Sequence, residues 1–133
     1  MKFKLDVSIS NINVFVLIIV VILVIIIIKF MKTKPIEITP KEARKNIEAG
    51  LYDYIIDVRS DEEWSEGHLP NSIHMPIGTI VTELPKRIPD KNARILFICK
   101  KGIRANAVTV IADKLGYKNI QSMVGNYKEA NIQ

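Results

Sequence analysis

The apolar run near the N-terminus constrains this chain more than any other feature. All 15 residues from Val14 to Ile28 are apolar, which is too long a run for an ordinary strand. Widened to residues 12–31, the segment has the ~20 residues that a helix needs to cross the hydrocarbon core of a bilayer. A single segment in lipid must pair all its backbone polar groups internally, and only a helix does so. We therefore predict a transmembrane helix over residues 12–31.

A cleaved secretory signal is the alternative interpretation of this segment. It requires a shorter apolar region followed by a small-residue cleavage site, and residues 29–33, Lys-Phe-Met-Lys-Thr, contain no such site. An uncleaved, single-pass membrane anchor is therefore favoured. More lysines follow the span than precede it, where Asp6 partly offsets them: Lys29, Lys32 and Lys34 against Lys2 and Lys4. Because basic residues concentrate on the cytosolic side, we expect the C-terminal domain in the cytosol.

The remaining chain has the size of one small soluble domain. We divide the sequence into a short tail (1–11), the transmembrane helix (12–31), a linker (32–35) and a domain (36–133). The chain has 19 Lys and Arg against 14 Asp and Glu, and three of the former and one of the latter precede residue 32, so the rest carries a net charge of +3. This charge is too mild to indicate nucleic-acid binding. The single cysteine excludes an internal disulfide and is expected to be a free thiol.

The domain alternates strand patterns with helix patterns. Compact apolar runs predict strands, and helical spacing of apolar residues predicts the helices between them. Strands are predicted at residues 36–39, 54–58, 72–75, 94–98 and 119–124, and helices from Pro40 to Gly50, at 61–66 and at 103–115, with 77–87 as a loop or irregular helix. Thr39 is the predicted N-cap of the first of these helices. The alternation indicates an α/β fold with a mostly parallel sheet covered by helices on both faces.

The last long helix is predicted to be amphipathic. Its apolar positions recur at helical spacing and are assigned to the buried face: Ala107, Val108, Ile111, Ala112 and Leu115.

Cys99 follows the most apolar strand and leads into a glycine-containing loop before that helix. In parallel sheets, functional sites lie beyond the carboxyl ends of the strands. The start of a helix supplies unpaired N–H groups and the positive end of the macrodipole, and both favour a thiolate. Lys100 and Lys101 add positive charge that favours the thiolate and attracts an anionic substrate.

Two further residues suit the loop to binding an anion. Gly102 permits a tight turn with amides directed inward, and Arg104 can brace the loop or hold an oxyanion. A lone cysteine is more often an inert core residue. However, a core cysteine does not need a strand end, a glycine loop, flanking lysines and a helix start together, so the sequence favours a nucleophile at Cys99.

The loop from Cys99 to Arg104, C-K-K-G-I-R, resembles the C-x-x-G-x-R active-site loop of rhodanese-domain sulfurtransferases. A second stretch agrees with this. The D-V-R of residues 57–59, the Glu63-Trp64 pair and the G-H-L-P-N-S-I-H-M-P of residues 67–76 resemble the D-V-R, E-[FYW] and G-H-I-x-G-A-I-x-x-P pattern of the same family. The resemblance covers about residues 36–130, nearly the whole soluble part.

The resemblance implies a small rhodanese-like domain acting as a thiosulfate or persulfide sulfurtransferase. Cys99 would take sulfane sulfur from a donor such as thiosulfate, hold it as a persulfide and pass it to a thiol or cyanide acceptor. The backbone amides of the loop would stabilise the charge, and the loop consists of Lys100, Lys101, Gly102, Ile103 and Arg104. A supporting polar shell would contain Asp57, Arg59 and the structural motif residue His68. Because no second cysteine can resolve the persulfide, a separate thiol acceptor is expected.

The sequence is also compatible with two other functions. Related phosphatases of this fold place five residues between Cys and Arg, whereas this loop has four, which favours the sulfur-transferring branch. The other alternative is a non-catalytic or redox-sensing module that docks a protein partner at a membrane.

The histidines and glutamates near the second strand are interpreted as structural residues. No metal-ligand spacing links His68 and His74, and we expect neither a metal nor a cofactor. Three glutamates after the second strand are interpreted as a solvated helical face: Glu62, Glu63 and Glu66.

Overall fold

The computed structural model describes residues 3–31 and 36–130, with side chains from residue 13 onward. The chain forms two compact units, Met1–Thr33 and Lys34–Gln133, and each is described by itself. The predicted linker (32–35), the first two residues of the predicted tail and the last three residues of the predicted domain lie outside the described residues.

The N-terminal unit contains one long helix, α1 (Phe3–Phe30). It begins before the predicted span, so residues 3–11 of the predicted tail are helical as well. All side chains from Val14 to Ile28 are between 46% and 65% exposed, which leaves the helix apolar on every side. Its segment Asn13–Phe30 is long and apolar enough to cross a membrane by length and composition. A helix of this kind is stable when an apolar environment surrounds it.

The second unit alternates strands and helices as the sequence predicts. Its strands are β1 (Ile36–Ile38), β2 (Tyr54–Asp57), β3 (Ile73–His74), β4 (Arg94–Ile98) and β5 (Asn119–Met123). Its helices are α2 (Pro40–Glu48), α3 (Asp61–Ser65), α4 (Ile80–Arg87) and α5 (Ile103–Lys114), with 3-10 turns at Ile77–Thr79 and Tyr127–Ala130. Residues 77–87, where the sequence predicts a loop or irregular helix, form a 3-10 turn followed by α4, which contains Pro85.

The five strands form one parallel sheet in the order β1-β5-β4-β2-β3. The central strand, β4, is buried from Ile95 to Ile98, which explains its uninterrupted apolar sequence. Thr39 caps α2 as predicted, because its hydroxyl accepts the N–H of Glu42 while the Glu42 carboxylate accepts the N–H of Thr39. The fold is therefore the predicted α/β sheet with helices on both faces.

Each face of the sheet has its own core. On one face α4 and α5 pack against the sheet through Leu84 and Val108, in a cluster that includes Phe97 and Cys99. On the other face α2 and the final 3-10 turn cover a second cluster that includes Leu96 and Ile98. Because β4 contributes alternate residues to both cores, its carboxyl end is held in place from two sides.

The structure corrects the predicted face of α5. The helical spacing predicts Ala107 on the apolar face, but its side chain is exposed. The residues that face the core are Ala105, Val108, Thr109 and Ala112. The buried face is therefore built from small residues and a hydroxyl in addition to the predicted apolar positions. The outer face of the helix retains apolar residues.

Candidate active site

The carboxyl ends of β2 and β4 lie side by side and define the site. Asp57 on β2 is in register with Ile98 on β4. The N–H of Val58, the residue after β2, donates to the Ile98 carbonyl oxygen at 3.0 Å. Cys99 follows Ile98 directly. The parallel sheet thus brings the D-V-R stretch and the cysteine loop to the same edge, although they are far apart in sequence.

Cys99 lies at the base of the loop with only 1% of its surface exposed. The N–H of Gly102 donates to its Sγ at 2.9 Å, so the sulfur already occupies the position of a hydrogen-bond acceptor. The loop then enters α5. At the start of this helix the Asn106 N–H donates to the Gly102 carbonyl oxygen at 2.9 Å. The sulfur therefore faces the N-terminal turn of α5.

Gly102 is required by the close approach of the loop to the end of β5. Its φ of +95° is in the left-handed region, and a Cβ at this position would lie 2.8 Å from the Cα of Val124 and 3.0 Å from the Met123 carbonyl oxygen. The N–H of Gly125 donates to the Lys101 carbonyl oxygen at 3.2 Å and fastens the loop to the same segment. The turn after β5 therefore fixes the shape of the loop.

The loop forms a small cavity of about 360 Å³, lined by Cys99, Lys100, Lys101, Ile103 and Arg104. Among the described residues, none accepts a hydrogen bond from the N–H groups of Lys100, Lys101, Ile103 or Arg104. Unpaired amides that converge at a helix start form a binding site for an anion. The two lysine side chains are exposed and add positive charge around the cavity.

Arg104 is held by Glu63 in a two-pronged ion pair. The guanidinium donates to the two carboxylate oxygens at 2.6 and 2.9 Å. Hydrogen bonds from Arg104, with smaller contributions from hydrogen bonds from Ser60, lower the pKa of Glu63 from 4.5 to about 2. The Glu63 carboxylate in turn holds the pKa of Arg104 above its usual value, with smaller contributions from the charges of Cys99 and Asp57. Arg104 therefore braces the loop against α3.

This ion pair overturns the interpretation of Glu63 as part of a solvated face. Glu62 and Glu66 are exposed, as predicted, but the Glu63 side chain is only 25% exposed. Its position is set by a capping box with Ser60 at the start of α3. The Ser-x-x-Glu spacing before a short helix was the sequence signal for this role.

Asp57 and Arg59 form a buried ion pair at the end of β2, beside the end of β4 that leads to Cys99. Asp57 is 0% and Arg59 4% exposed, and the guanidinium donates to the carboxylate at 2.8–2.9 Å. Arg59 also donates to the carbonyl oxygens of Gly67 and Glu63, and its guanidinium carbon lies 4.2 Å from the centre of the Tyr127 ring. Burial disfavours the charge of Arg59, but the hydrogen bonds and charge of Asp57 outweigh it and raise the pKa of Arg59 above its usual value.

His68 lies on a separate aromatic stack outside the described lining of the cavity. Its ring stacks on Trp64 at 3.6 Å between centroids, and the other side of the stack is His74 at 4.7 Å. His74 Nε2 donates to the carbonyl oxygen of Arg59 at 2.9 Å. The two histidines therefore connect α3 and β3 to the Arg59 segment, and the described residues contain no group of three His, Cys, Asp or Glu side chains suited to a metal ion.

The fold and this loop together define a class of proteins. In this class a parallel α/β domain holds one buried thiol next to a loop of unpaired backbone amides. Residues 39–132 match the Rhodanese-like domain, and the chain belongs to that family. The putative sulfurtransferase YtwF of Bacillus subtilis is 36% identical over 84 residues, which are 63% of this chain and 80% of that protein. These findings support a sulfurtransferase.

Two further relatives agree with the family assignment. The thiosulfate sulfurtransferase PspE of Escherichia coli is 25% identical over 73 residues, or 55% of this chain and 70% of that protein. The solved structure of the human single-domain sulfurtransferase TSTD1 superposes with a TM-score of 0.62 at 26% identity, covering 70% of this chain and 92% of that one.

Proposed function

We propose that this protein is a membrane-anchored sulfurtransferase that carries sulfane sulfur as a persulfide on Cys99. The observation that carries the proposal is the position of the Cys99 sulfur. It accepts the Gly102 N–H at 2.9 Å and lines a cavity together with Lys100, Lys101, Ile103 and Arg104, whose backbone N–H groups find no acceptor among the described residues. An activated thiolate in such a cradle is a nucleophile and a carrier of an anionic adduct.

The reaction has two balanced steps. With thiosulfate as donor, the Cys99 thiolate attacks the sulfane sulfur, a new S–S bond forms, and the old S–S bond breaks as sulfite leaves with its electron pair. The terminal sulfur of the persulfide then carries the negative charge. In the second step an acceptor thiolate attacks that terminal sulfur, and Cys99 leaves as the thiolate with which the cycle began.

The loop residues divide the work of binding and bracing. The exposed side chains of Lys100 and Lys101 attract the dianionic donor, and the free amides of the loop hold the charge of the persulfide and of the departing anion. Arg104 keeps the loop in shape through its ion pair with Glu63. The buried Asp57 and Arg59 pair supports the site from the end of β2, while His68 stabilises α3 through the Trp64 stack.

The membrane anchor is supported by α1. Its all-round apolar segment has the length of a bilayer span and no acidic or basic residue from Val14 to Ile28. A single span of this kind serves to tether the domain, which raises its concentration near a membrane-bound partner.

Intact-mass spectrometry of the full-length protein in detergent tests the sulfur chemistry. Treatment with thiosulfate followed by removal of the donor is expected to add the mass of one sulfur atom, and cyanide should remove it as thiocyanate. Cys99→Ala and Cys99→Ser are the matched controls and should gain nothing. If the wild-type protein gains no sulfur from thiosulfate or from a polysulfide, the catalytic proposal is wrong and the docking-module alternative is favoured.

A further inference from the structure

The outer face of α5 carries an apolar stripe that begins at the mouth of the cavity. Ile103, Ala107 and Val110 are spaced by four and three residues, so they share one face of the helix. All three are exposed, and Ile103, at 76%, is the most exposed large apolar side chain among the described residues 36–130. This stripe is unusual because the outer face of a helix on a sheet is normally polar.

Lysines are the main charged residues at the two ends of the stripe. Lys100 and Lys101 lie at its upper end and the exposed Lys114 at its lower end. No ion pair among the described residues involves any of these lysines. The remaining basic residue of α5, Arg104, is neutralised by Glu63, and the one acidic residue of the helix is Asp113, next to Lys114. The stripe is therefore an apolar surface with a basic border.

The cavity itself gives a large acceptor access to the sulfur. Its lining residues all belong to the segment from Cys99 to Arg104, and one of them, Ile103, is also the first residue of the stripe. Cys99 is 1% exposed, and a persulfide would place its reactive sulfur one S–S bond beyond the buried Sγ, which itself lines the cavity. A thiol carried on a surface that covers the stripe can reach that end.

We infer that the sulfur acceptor is a protein that docks on the α5 stripe and presents a cysteine thiol from an apolar surface bordered by acidic residues. This inference rests on the proposed sulfurtransferase function. Apolar contact with Ile103 and Val110 supplies the affinity, and carboxylates opposite the lysines supply orientation and a faster encounter. The acceptor thiolate attacks the terminal sulfur, takes it in a new S–S bond, and releases the Cys99 thiolate.

A bilayer is a less suitable occupant of the stripe. Three side chains form a narrow apolar surface compared with the broad face of an interfacial helix. A membrane pressed against the stripe would also cover the mouth of the cavity and exclude the donor. The position of the stripe next to the reactive sulfur therefore favours a protein.

Sulfur transfer to defined peptides tests the inference. The full-length protein in phosphatidylcholine nanodiscs is loaded with thiosulfate, desalted and mixed with one of three peptides that each contain a single cysteine. The first peptide surrounds the cysteine with Leu and Glu, the second replaces Glu with Lys, and the third replaces Leu with Ser. Rapid quenching and intact-mass spectrometry follow the sulfur, and 2-mercaptoethanol serves as a small neutral acceptor.

The first peptide is expected to accept sulfur about tenfold faster than the other two, a difference of about 1.4 kcal/mol that one well-placed apolar or charged contact can supply. Val110→Asp should abolish this preference while leaving transfer to 2-mercaptoethanol and loading by thiosulfate unchanged. Val81→Asp, which alters an exposed apolar residue on α4, is the matched control and should preserve the preference. Equal rates for all three peptides, or an unchanged preference in Val110→Asp, would overturn the inference.

A binding measurement separates failure of this inference from failure of the proposed function. A fluorescent copy of the first peptide with Ser in place of Cys should bind the unloaded protein, and Val110→Asp should weaken that binding. This result does not depend on persulfide formation. If adding phosphatidylserine to the nanodiscs blocks binding and transfer in the wild type but not in Val110→Asp, the stripe binds the membrane and the protein-acceptor inference is wrong.

Discussion

Glu63 connects α3 to two arginines of the candidate site, Arg104 and Arg59. Its carboxylate accepts both prongs of Arg104, its carbonyl oxygen accepts from Arg59, and its side chain completes the capping box with Ser60. The two arginine contacts join α3 to the cysteine loop and to the Asp57 and Arg59 pair, and the capping box fixes the start of α3 itself. The orientation of the cysteine loop therefore depends on a residue that does not line the cavity.

Replacing Glu63 with Gln is expected to slow persulfide formation by up to about tenfold, because a loop held by one weaker hydrogen bond spends less time in the productive geometry. Stopped-flow or quenched-mass kinetics with thiosulfate measure this rate. Glu62→Gln is the matched control, since its side chain is exposed on the same short helix. Equal rates in the two variants would show that the ion pair has no positioning role.

The same ion pair predicts a pH dependence of stability. The pKa of Glu63 is lowered from 4.5 to about 2 in the folded protein, chiefly by the hydrogen bonds from Arg104. A depressed folded pKa means that the carboxylate stabilises the fold above the unfolded value and loses this contribution as the pH falls. Between pH 4.5 and about 2, Glu63→Gln should therefore lose less stability than the wild type. Urea unfolding followed by the fluorescence of Trp64, the one tryptophan, measures the difference, and parallel curves would contradict it.

The buried Asp57 and Arg59 pair should have a larger effect on stability than the Glu63 pair. Asp57→Asn leaves the Arg59 guanidinium buried without its counter-charge, which costs about 3–5 kcal/mol. The double variant Asp57→Asn, Arg59→Met removes the stranded charge as well and should be less destabilised than the single variant. A single variant that loses under about 1 kcal/mol in urea unfolding would show that water or the carbonyl oxygens around Arg59 replace the carboxylate.

At the residue scale, the sequence predicted the position of Cys99 at a strand end but not the contacts that hold its loop. Asp57 and Arg59 are near neighbours in sequence, and the family resemblance assigns both to a supporting polar shell, which stays a prediction. The Glu63 and Arg104 pair joins residues 41 positions apart. Its formation depends on how α3 packs, which no local periodicity reports.

Among the elements, the loop after β4 and the turn after β5 form one unit through Gly102. In Gly102→Ala a left-handed backbone is combined with a clash between the new Cβ and the backbone of Val124. We therefore expect it to be more destabilising than a Gly→Ala substitution that has the left-handed backbone but no clash. Gly116→Ala provides that comparison, because its φ is +98° but the added Cβ meets nothing within 4 Å.

The Gly116→Ala variant should lose about 1–2 kcal/mol and keep its sulfur-loading rate. The Gly102→Ala variant should lose a further ~1–3 kcal/mol, as expected for an overpacked contact, and load sulfur far more slowly. Urea unfolding and mass spectrometry measure the two effects on the same samples. Equal losses in both variants would show that the loop moves away from β5 without consequence.

The strands were easier to predict than the faces of the helices. A buried parallel strand such as β4 has a continuous apolar run, which the sequence shows directly. The face of α5 is harder to assign because apolar residues occur around the whole helix, and Ala107 fits either side by size. Only the packing of Ala105 and Val108 against the sheet decides which face is buried.

For the whole molecule, the two units place different demands on their surroundings. The domain buries its apolar residues in two cores, whereas α1 leaves its apolar residues exposed along the length of the helix. Exposed apolar surface of this extent is stable in lipid and not in water. The membrane is therefore expected to be the environment that completes the structure of α1.

Lysines introduced into α1 test that expectation. Val20→Lys together with Leu23→Lys places two charges near the middle of the run, at a cost of roughly 2.5–3.5 kcal/mol each for insertion. The double variant should leave the membrane fraction on alkaline carbonate extraction, while the wild type stays in it. Val14→Lys is the control, because a lysine at the end of the run reaches the interface and should keep the protein in the membrane.

A further prediction concerns the side of the membrane on which the domain of an anchored protein would lie. Three lysines follow the span and two precede it, which favours a cytosolic domain. Asp6, which lies before the span, favours the same orientation by a small amount. Protease added to sealed vesicles with the cytosolic face outward should digest residues 36–130, and protection of this domain would contradict the orientation. Moving charge from one side to the other, with Lys32→Gln and Lys34→Gln beside Asn11→Lys and Asn13→Lys, should reverse the result. A domain that stays accessible in this variant would indicate that its folding before insertion, and not the lysines, sets the orientation.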